Sequence, residues 1–225
     1  MSALPLEERR EAIRRFAWAK DHANVRSVLL PIDEELEQAV LRDDLKAVQA
    51  ALAAGACADV ADEEDFYRAL FWAVNNDNPE IVKLLIENQA EVNAENQEGS
   101  TILSDAVSSD SGGNPKIVGM LLDAGANVGI LDSSGLLPHC WAAMRDNVEV
   151  LEMLRAAGAN LYWLDHEGRD ALMHAAGQGA AKACAYLIQH GADLKRQDME
   201  GWTASDWARA EENEELAQWL EQQVK

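Results

Sequence analysis

His139 and Cys140 stand side by side, the two residue types from which a thiol nucleophile and its base are built, and Cys57 and Cys184 add two more thiols to the 225 residues. A Cys-His nucleophile also needs a third group that orients the base, and the sequence offers no sign of one. Zinc would require four ligands converging from spacings of two to four residues. The three cysteines fall in separate segments with no such spacing. Ser109-Asp-Ser-Gly-Gly113 is glycine-rich but lacks the Lys-Ser/Thr ending and preceding strand of a phosphate loop. Carboxylate pairs such as Asp43-Asp44 and Glu211-Glu212 read as solvated helix surface in a chain with 40 acidic residues. The expectation is a protein with no catalytic residues, no metal and no cofactor. Its odd number of cysteines fits reduced, buried thiols rather than a disulfide framework.

What must position these residues is a repeat. Gly55-Ala56, Gln89-Ala90, Gly125-Ala126, Gly158-Ala159 and Gly191-Ala192 each close an apolar helical segment, and they are spaced 34, 36, 33 and 33 residues apart. A period near 33 predicts stacked helix pairs, each touching only its neighbours. In one unit, Asp132-Ser-Ser-Gly135 forms a turn, Pro138 to Ala143 a first helix, and Val148 to Leu154 a second with i, i+3, i+4 apolar spacing. The next unit repeats the plan with Asp165-His-Glu-Gly168, Ala171 to Ala176, Ala183 to Ile188 and Gly191-Ala192. Ser108 to Asn114 is a longer inter-helix turn, an insertion of three residues.

A turn with Asp and Gly, a Thr-Pro-Leu-His-like first helix, a second helix with paired aliphatics and a closing Gly-Ala together resemble the ankyrin repeat. The resemblance covers roughly residues 32–225. It implies an all-α solenoid of about six helix-turn-helix units with hairpin loops, at approximately 32–61, 62–95, 96–131, 132–164, 165–197 and 198–225, behind an N-terminal helical extension over 1–31. The Thr-Pro-Leu-His segment is degenerate: it reads Arg68-Ala-Leu-Phe71, Thr101-Ile-Leu-Ser104, Leu137-Pro-His-Cys140, Asp170-Ala-Leu-Met173 and Thr203-Ala-Ser-Asp206. In the family that histidine hydrogen-bonds backbone between repeats, so its loss implies less regular stacking and lower stability per repeat. The first unit and the Glu-rich last one read as caps. Pro5 to Leu30 places Leu6, Ile13, Phe16 and Ala17 on roughly one face, which predicts one or two helices packed on the first repeat; an amphipathic membrane anchor is the alternative, weakened by interleaved glutamates.

The formal net charge is −21, of which residues 1–31 contribute +2. That sign disfavours nucleic acid and anionic lipid and complements a basic protein. No run approaches a membrane span, and the N-terminus lacks the apolar core of a secretory signal, so the expectation is a cytoplasmic protein, monomeric when free.

For such a protein the candidate site is a surface. The family binds through hairpin tips and the first helices that follow, on the concave face. The residues after the turn glycine, or after Phe66 where the second unit lacks that glycine, are Tyr67, Ser100, Leu136, Arg169 and Trp202, with Trp163 near the same edge. The tips are acidic: Asp62, Glu63, Glu64 and Asp65, then Glu95 with Glu98, Asp132, Asp165 with Glu167 on either side of His166, and Asp198 with Glu200. A second series, Gln38, Trp72, Asp105, Trp141, His174 and Trp207, stands one residue before the first-helix alanine; packing in a shared row is the favoured reading, and contact with a partner the other. The expected contact set is therefore Asp62, Glu63, Glu64, Asp65, Tyr67, Trp72, Glu98, Leu136, Trp141, Trp163, His166, Arg169 and Trp202. The functional expectation is a non-enzymatic module binding one basic protein, as an inhibitor or immunity protein covering the active site of a toxin or nuclease, or else as a scaffold that holds its partner without inhibiting it.

Overall fold

The computed structural model describes residues 4–18, 29–60, 68–96, 98–109 and 112–224. Thirteen helices are present among them: α1 (Leu6–Trp18), α2 (Pro31–Leu41), α3 (Leu45–Ala53), α4 (Ala69–Asn75), α5 (Pro79–Glu87), α6 (Ile102–Ser108), α7 (Pro115–Asp123), α8 (Pro138–Met144), α9 (Val148–Ala156), α10 (Ala171–Gly177), α11 (Ala181–Gln189), α12 (Ala204–Ala210) and α13 (Glu214–Gln223). After α1 they form six pairs. From α4 onward the first helix of each pair has seven residues and the second nine or ten. Pro31, Pro79, Pro115 and Pro138 each open a helix, where the missing N–H costs nothing.

The helices divide into two compact units. The first comprises residues 1–106 and 119–126, the second 107–118 and 127–225. In the first, α2 packs on α3 and α4, and α5 on α3 and α4, around Leu36, Val40, Val48, Leu70, Phe71, Ile81 and Leu85. In the second, α10 packs between α8 and α12, with α9 beside α11 and α13 against α12. Paired alanines on the first helices, Ala142-Ala143 and Ala175-Ala176, are fully buried and let neighbouring helices approach closely.

Each second helix stops as the sequence implies. Gly55, Gly125, Gly158 and Gly191 all adopt positive φ, which glycine accepts without a Cβ penalty. Gln89 takes the same conformation at φ 65. Neighbouring repeats are stapled by asparagines. Asn78 Nδ2 donates to Asp43 and Asn76 Nδ2 to the Val40 carbonyl in the first unit, and Asn213 Nδ2 donates to the Gly177 carbonyl in the second. Asn147 does the same for the insertion, donating to the carbonyls of Gly112 and Gly113, which fixes the extra turn to the following repeat.

The N-terminal extension contains one described helix, α1, and its basic side chains turn inward. Arg9 and Arg10 are buried, whereas Glu7, Glu8, Glu11 and Arg15 are exposed. The cationic face an anionic membrane would need is thus spent on the repeats. No described helix is long and apolar enough to cross a membrane.

Candidate functional site

The hairpin aspartates of the second unit are struts. Asp132 Oδ1 accepts from the backbone N–H of Ser134 and Leu136, both at 2.9 Å, and its Oδ2 accepts the Trp141 indole N–H. Asp165 receives Glu167 and Arg169 N–H at 2.9 Å, then Arg169 Nε at 2.8 Å, and lies 3.0 Å from His174 Nε2. Asp198 receives Glu200 and Trp202 N–H at 2.9 Å and the Trp207 indole at 2.9 Å. One carboxylate therefore closes the turn with one oxygen and ties it to the first helix with the other. Burial works against ionising Asp165 and Asp198, but the donors around them outweigh it and hold both carboxyls below the ordinary range.

This arrangement corrects two expectations. The Trp141, His174 and Trp207 positions do more than pack in a row: each is a side-chain partner of the turn nine residues upstream. And the tip aspartates Asp165 and Asp198 are buried, so the outward charge of these hairpins comes from Glu167 and Glu200. The sequence carried a signal for the tie, since Asp-x8-Trp or Asp-x8-His recurs at 132, 165 and 198. It also gives the second unit a link between turn and helix where the histidine of Thr-Pro-Leu-His is missing.

The expected contact residues fall into four groups. Asp62, Glu63, Glu64, Asp65 and Tyr67 lie outside the described residues. Glu98, His166 and Trp202 are exposed; Trp72, Trp141, Trp163 and Arg169 are half-buried. Leu136 is only 7% exposed, so it packs where the sequence suggested a projecting apolar group; Asp132 engages both its N–H and its carbonyl. Leu136 and Arg169 meet in one groove of about 360 Å³ together with Met144, Met173, His174 and Trp207, with Glu211 at its margin. Arg169 bridges Asp165 and Glu167 at 2.8 Å each and its guanidinium lies 5.5 Å from the Trp207 ring centroid. Trp202 tilts against Trp207 at 5.1 Å. Sequence reasoning missed the exposed Leu131, Leu164 and Met199; Leu131 and Leu164 each immediately precede a turn aspartate, which was the available signal.

The thiols are poorly suited to nucleophilic chemistry. Burial pushes Cys57 up to about 11 and both Cys140 and Cys184 up to about 12, far from the lowered values of reactive cysteines. His139 Nε2 lies 3.7 Å from Cys140 Sγ, but the imidazole is itself buried and pushed down to about 4, first by desolvation and then by His174.

Paired short and long helices, closed by left-handed stops and joined by Asp-anchored turns, define a helical-repeat protein. A family model for ankyrin repeats in three copies matches residues 36–132 and 139–224. The chain belongs to the ankyrin repeat family, an all-α fold that serves as a protein–protein interaction module and is generally non-enzymatic. No curated protein matches the chain.

Proposed function

We propose that the chain binds one basic protein through the hairpin side of its repeats, with the groove around Arg169 and Trp207 as the principal contact of the second unit. The observation that carries the reading is the division of labour at the hairpins. Aspartates are consumed internally while Glu200 and Glu211, and Glu167 in its pairing with Arg169, remain exposed beside the aromatic corner of Trp202 and Trp207. A groove of mixed character, with Leu136, Met144, Met173 and Trp207 as its apolar part and Glu211 as its carboxylate, suits an apolar anchor flanked by Lys or Arg, with the charges speeding encounter and the rings slowing release. The run from Asp62 to Asp65 adds four acids to the same sign of charge. The inhibitor form of this reading takes the partner to be a toxin or nuclease whose basic substrate groove is covered; a scaffold would hold the same partner with its activity intact.

The test is affinity capture followed by kinetics on the captured protein. Reversing Glu167, Glu200 and Glu211 to Lys should slow association and flatten its salt dependence, because exposed charges act over about 8–10 Å at ordinary ionic strength. Trp202→Ala should instead speed dissociation, at a cost of about 2 kcal/mol for a buried anchor. A partner indifferent to both changes would refute the hairpin assignment. Adding the chain to the captured partner then separates inhibitor from scaffold by whether the partner's own activity falls.

A further inference from the structure

The first unit carries a site that its own N-terminal helix fills. Asp33 is fully buried and is fixed by the repeats themselves: Leu30 N–H donates to Oδ2 and Cys57 N–H to Oδ1, each at 2.7 Å. Asp59 is as deeply buried; it accepts Glu91 N–H at 2.7 Å and faces Arg68 at 3.5 Å. Beside them the backbone carbonyls of Gly55, Asn88 and Gln89 mark the ends of α3 and α5, where the helix dipole is negative. Two preorganised carboxylates and a row of carbonyls make a socket built of hydrogen-bond acceptors.

α1 occupies it with a comb of guanidinium groups. Arg9 Nη2 reaches Asp33 at 3.2 Å and the Gly55 carbonyl at 2.7 Å. Arg10 donates to the Asn88 carbonyl at 3.0 Å and to Gln89 Oε1 at 2.8 Å. Arg14 donates through Nε to Asp59 at 2.7 Å and through Nη2 to the Gln89 carbonyl at 2.8 Å. Ile13, on the same helical face, is fully buried. Gln89 itself points to this occupant: it stands where the other four stops have glycine, in a conformation that non-glycine residues resist, and its side chain accepts from Arg10. Arg10 and Arg14 each reach two acceptors through two different nitrogens, a fork that arginine supplies and lysine does not.

We propose that this socket is a second interaction surface, for a partner's amphipathic helix that presents arginine at positions i, i+1 and i+5 with an aliphatic residue at i+4, and that α1 holds the surface closed in cis until such a helix displaces it. The proposal is independent of the hairpin reading. An isolated helix of 13 residues is marginal in water, so α1 folds as it seats, and its covalent attachment to the array makes it the first competitor for the socket.

The probe is a labelled peptide of residues 4–18, and the protein is the full chain with a protease recognition sequence introduced within residues 19–28. After cleavage the array should stay folded by circular dichroism and exchange its α1 fragment for the peptide. The uncut chain should bind the same peptide at least about tenfold more weakly, because the tethered copy competes. A peptide with Arg9→Lys, Arg10→Lys and Arg14→Lys should bind the cut chain at least about tenfold more weakly than the arginine form. Hydrogen exchange on the uncut chain should show α1 opening before α3 and α5. Unfolding on cleavage, absence of exchange, equal binding of the lysine peptide, or identical protection of α1 and its neighbours would each overturn the proposal.

Discussion

His139 is the residue most out of place in its surroundings. It stands at the leucine position of the Thr-Pro-Leu-His-like segment, fully buried, and its Nδ1 meets no hydrogen-bond partner among the described residues. With a folded pKa of about 4 against an ordinary 6.5, the unfolded chain takes up the proton first as pH falls. The stability held by the neutral ring is therefore complete above pH 6.5 and is lost progressively down to pH 4. His139→Leu should gain on the natural protein by about 2 kcal/mol more at pH 5 than at pH 7.5, read as urea midpoints at the two values. Asp165 and Asp198 titrate in a lower window, since carboxyls held below the ordinary range keep their contribution until the pH drops beneath it. The thiols make a separate prediction: Cys57, Cys140 and Cys184 should all label slowly at neutral pH in the folded protein. Fast, selective labelling of Cys140 would reopen a catalytic reading.

At the scale of the elements, the Asp-to-Trp or Asp-to-His tie explains how a degenerate repeat keeps its turn on its helix. Asp198 Oδ2 has the Trp207 indole as its partner, whereas Asp165 Oδ2 is shared by His174 and Arg169. Trp207→Phe should therefore cost about 1.5–3 kcal/mol, the range for a hydrogen bond to a charged group, and His174→Phe distinctly less, because Arg169 still holds its carboxylate. Equal losses in thermal or denaturant unfolding would mean that ring packing, rather than the hydrogen bond, carries these positions. This tie was legible as a spacing but not as a bond, since nothing in a spacing of nine tells whether a tryptophan turns its N–H toward the turn or its ring toward a neighbour.

On the scale of the whole molecule, stability is a sum of neighbour interfaces. Removing residues 202–225 takes away α12 and α13, and with them the cover of the α10 face. The truncated chain should lose about 3 kcal/mol or more, roughly 10 °C in Tm for a chain of this length; an unchanged melting curve would show that the last pair is an appendage rather than a cap. The net charge of −21 acts at this scale too, as a field that favours basic partners.

The period, the helix pairs, their stops and the insertion were written in the sequence because each is a local matter: apolar spacing sets a helix face, and a glycine able to take positive φ ends it. The packing of the N-terminal helix was legible in part for the same reason: of Leu6, Ile13 and Phe16, the fold buries Ile13 fully and leaves the other two half-buried. What that helix does with its arginines was not. Arg9, Arg10 and Arg14 meet acceptors 24 to 79 residues away, and only the tertiary fold brings Asp33, Asp59 and the ends of α3 and α5 to one flank. The same holds for the tip aspartates. As letters they are negative charges on a surface; once the turn wraps its N–H groups around them they become buried struts, and the outward charge is left to the glutamates beside them.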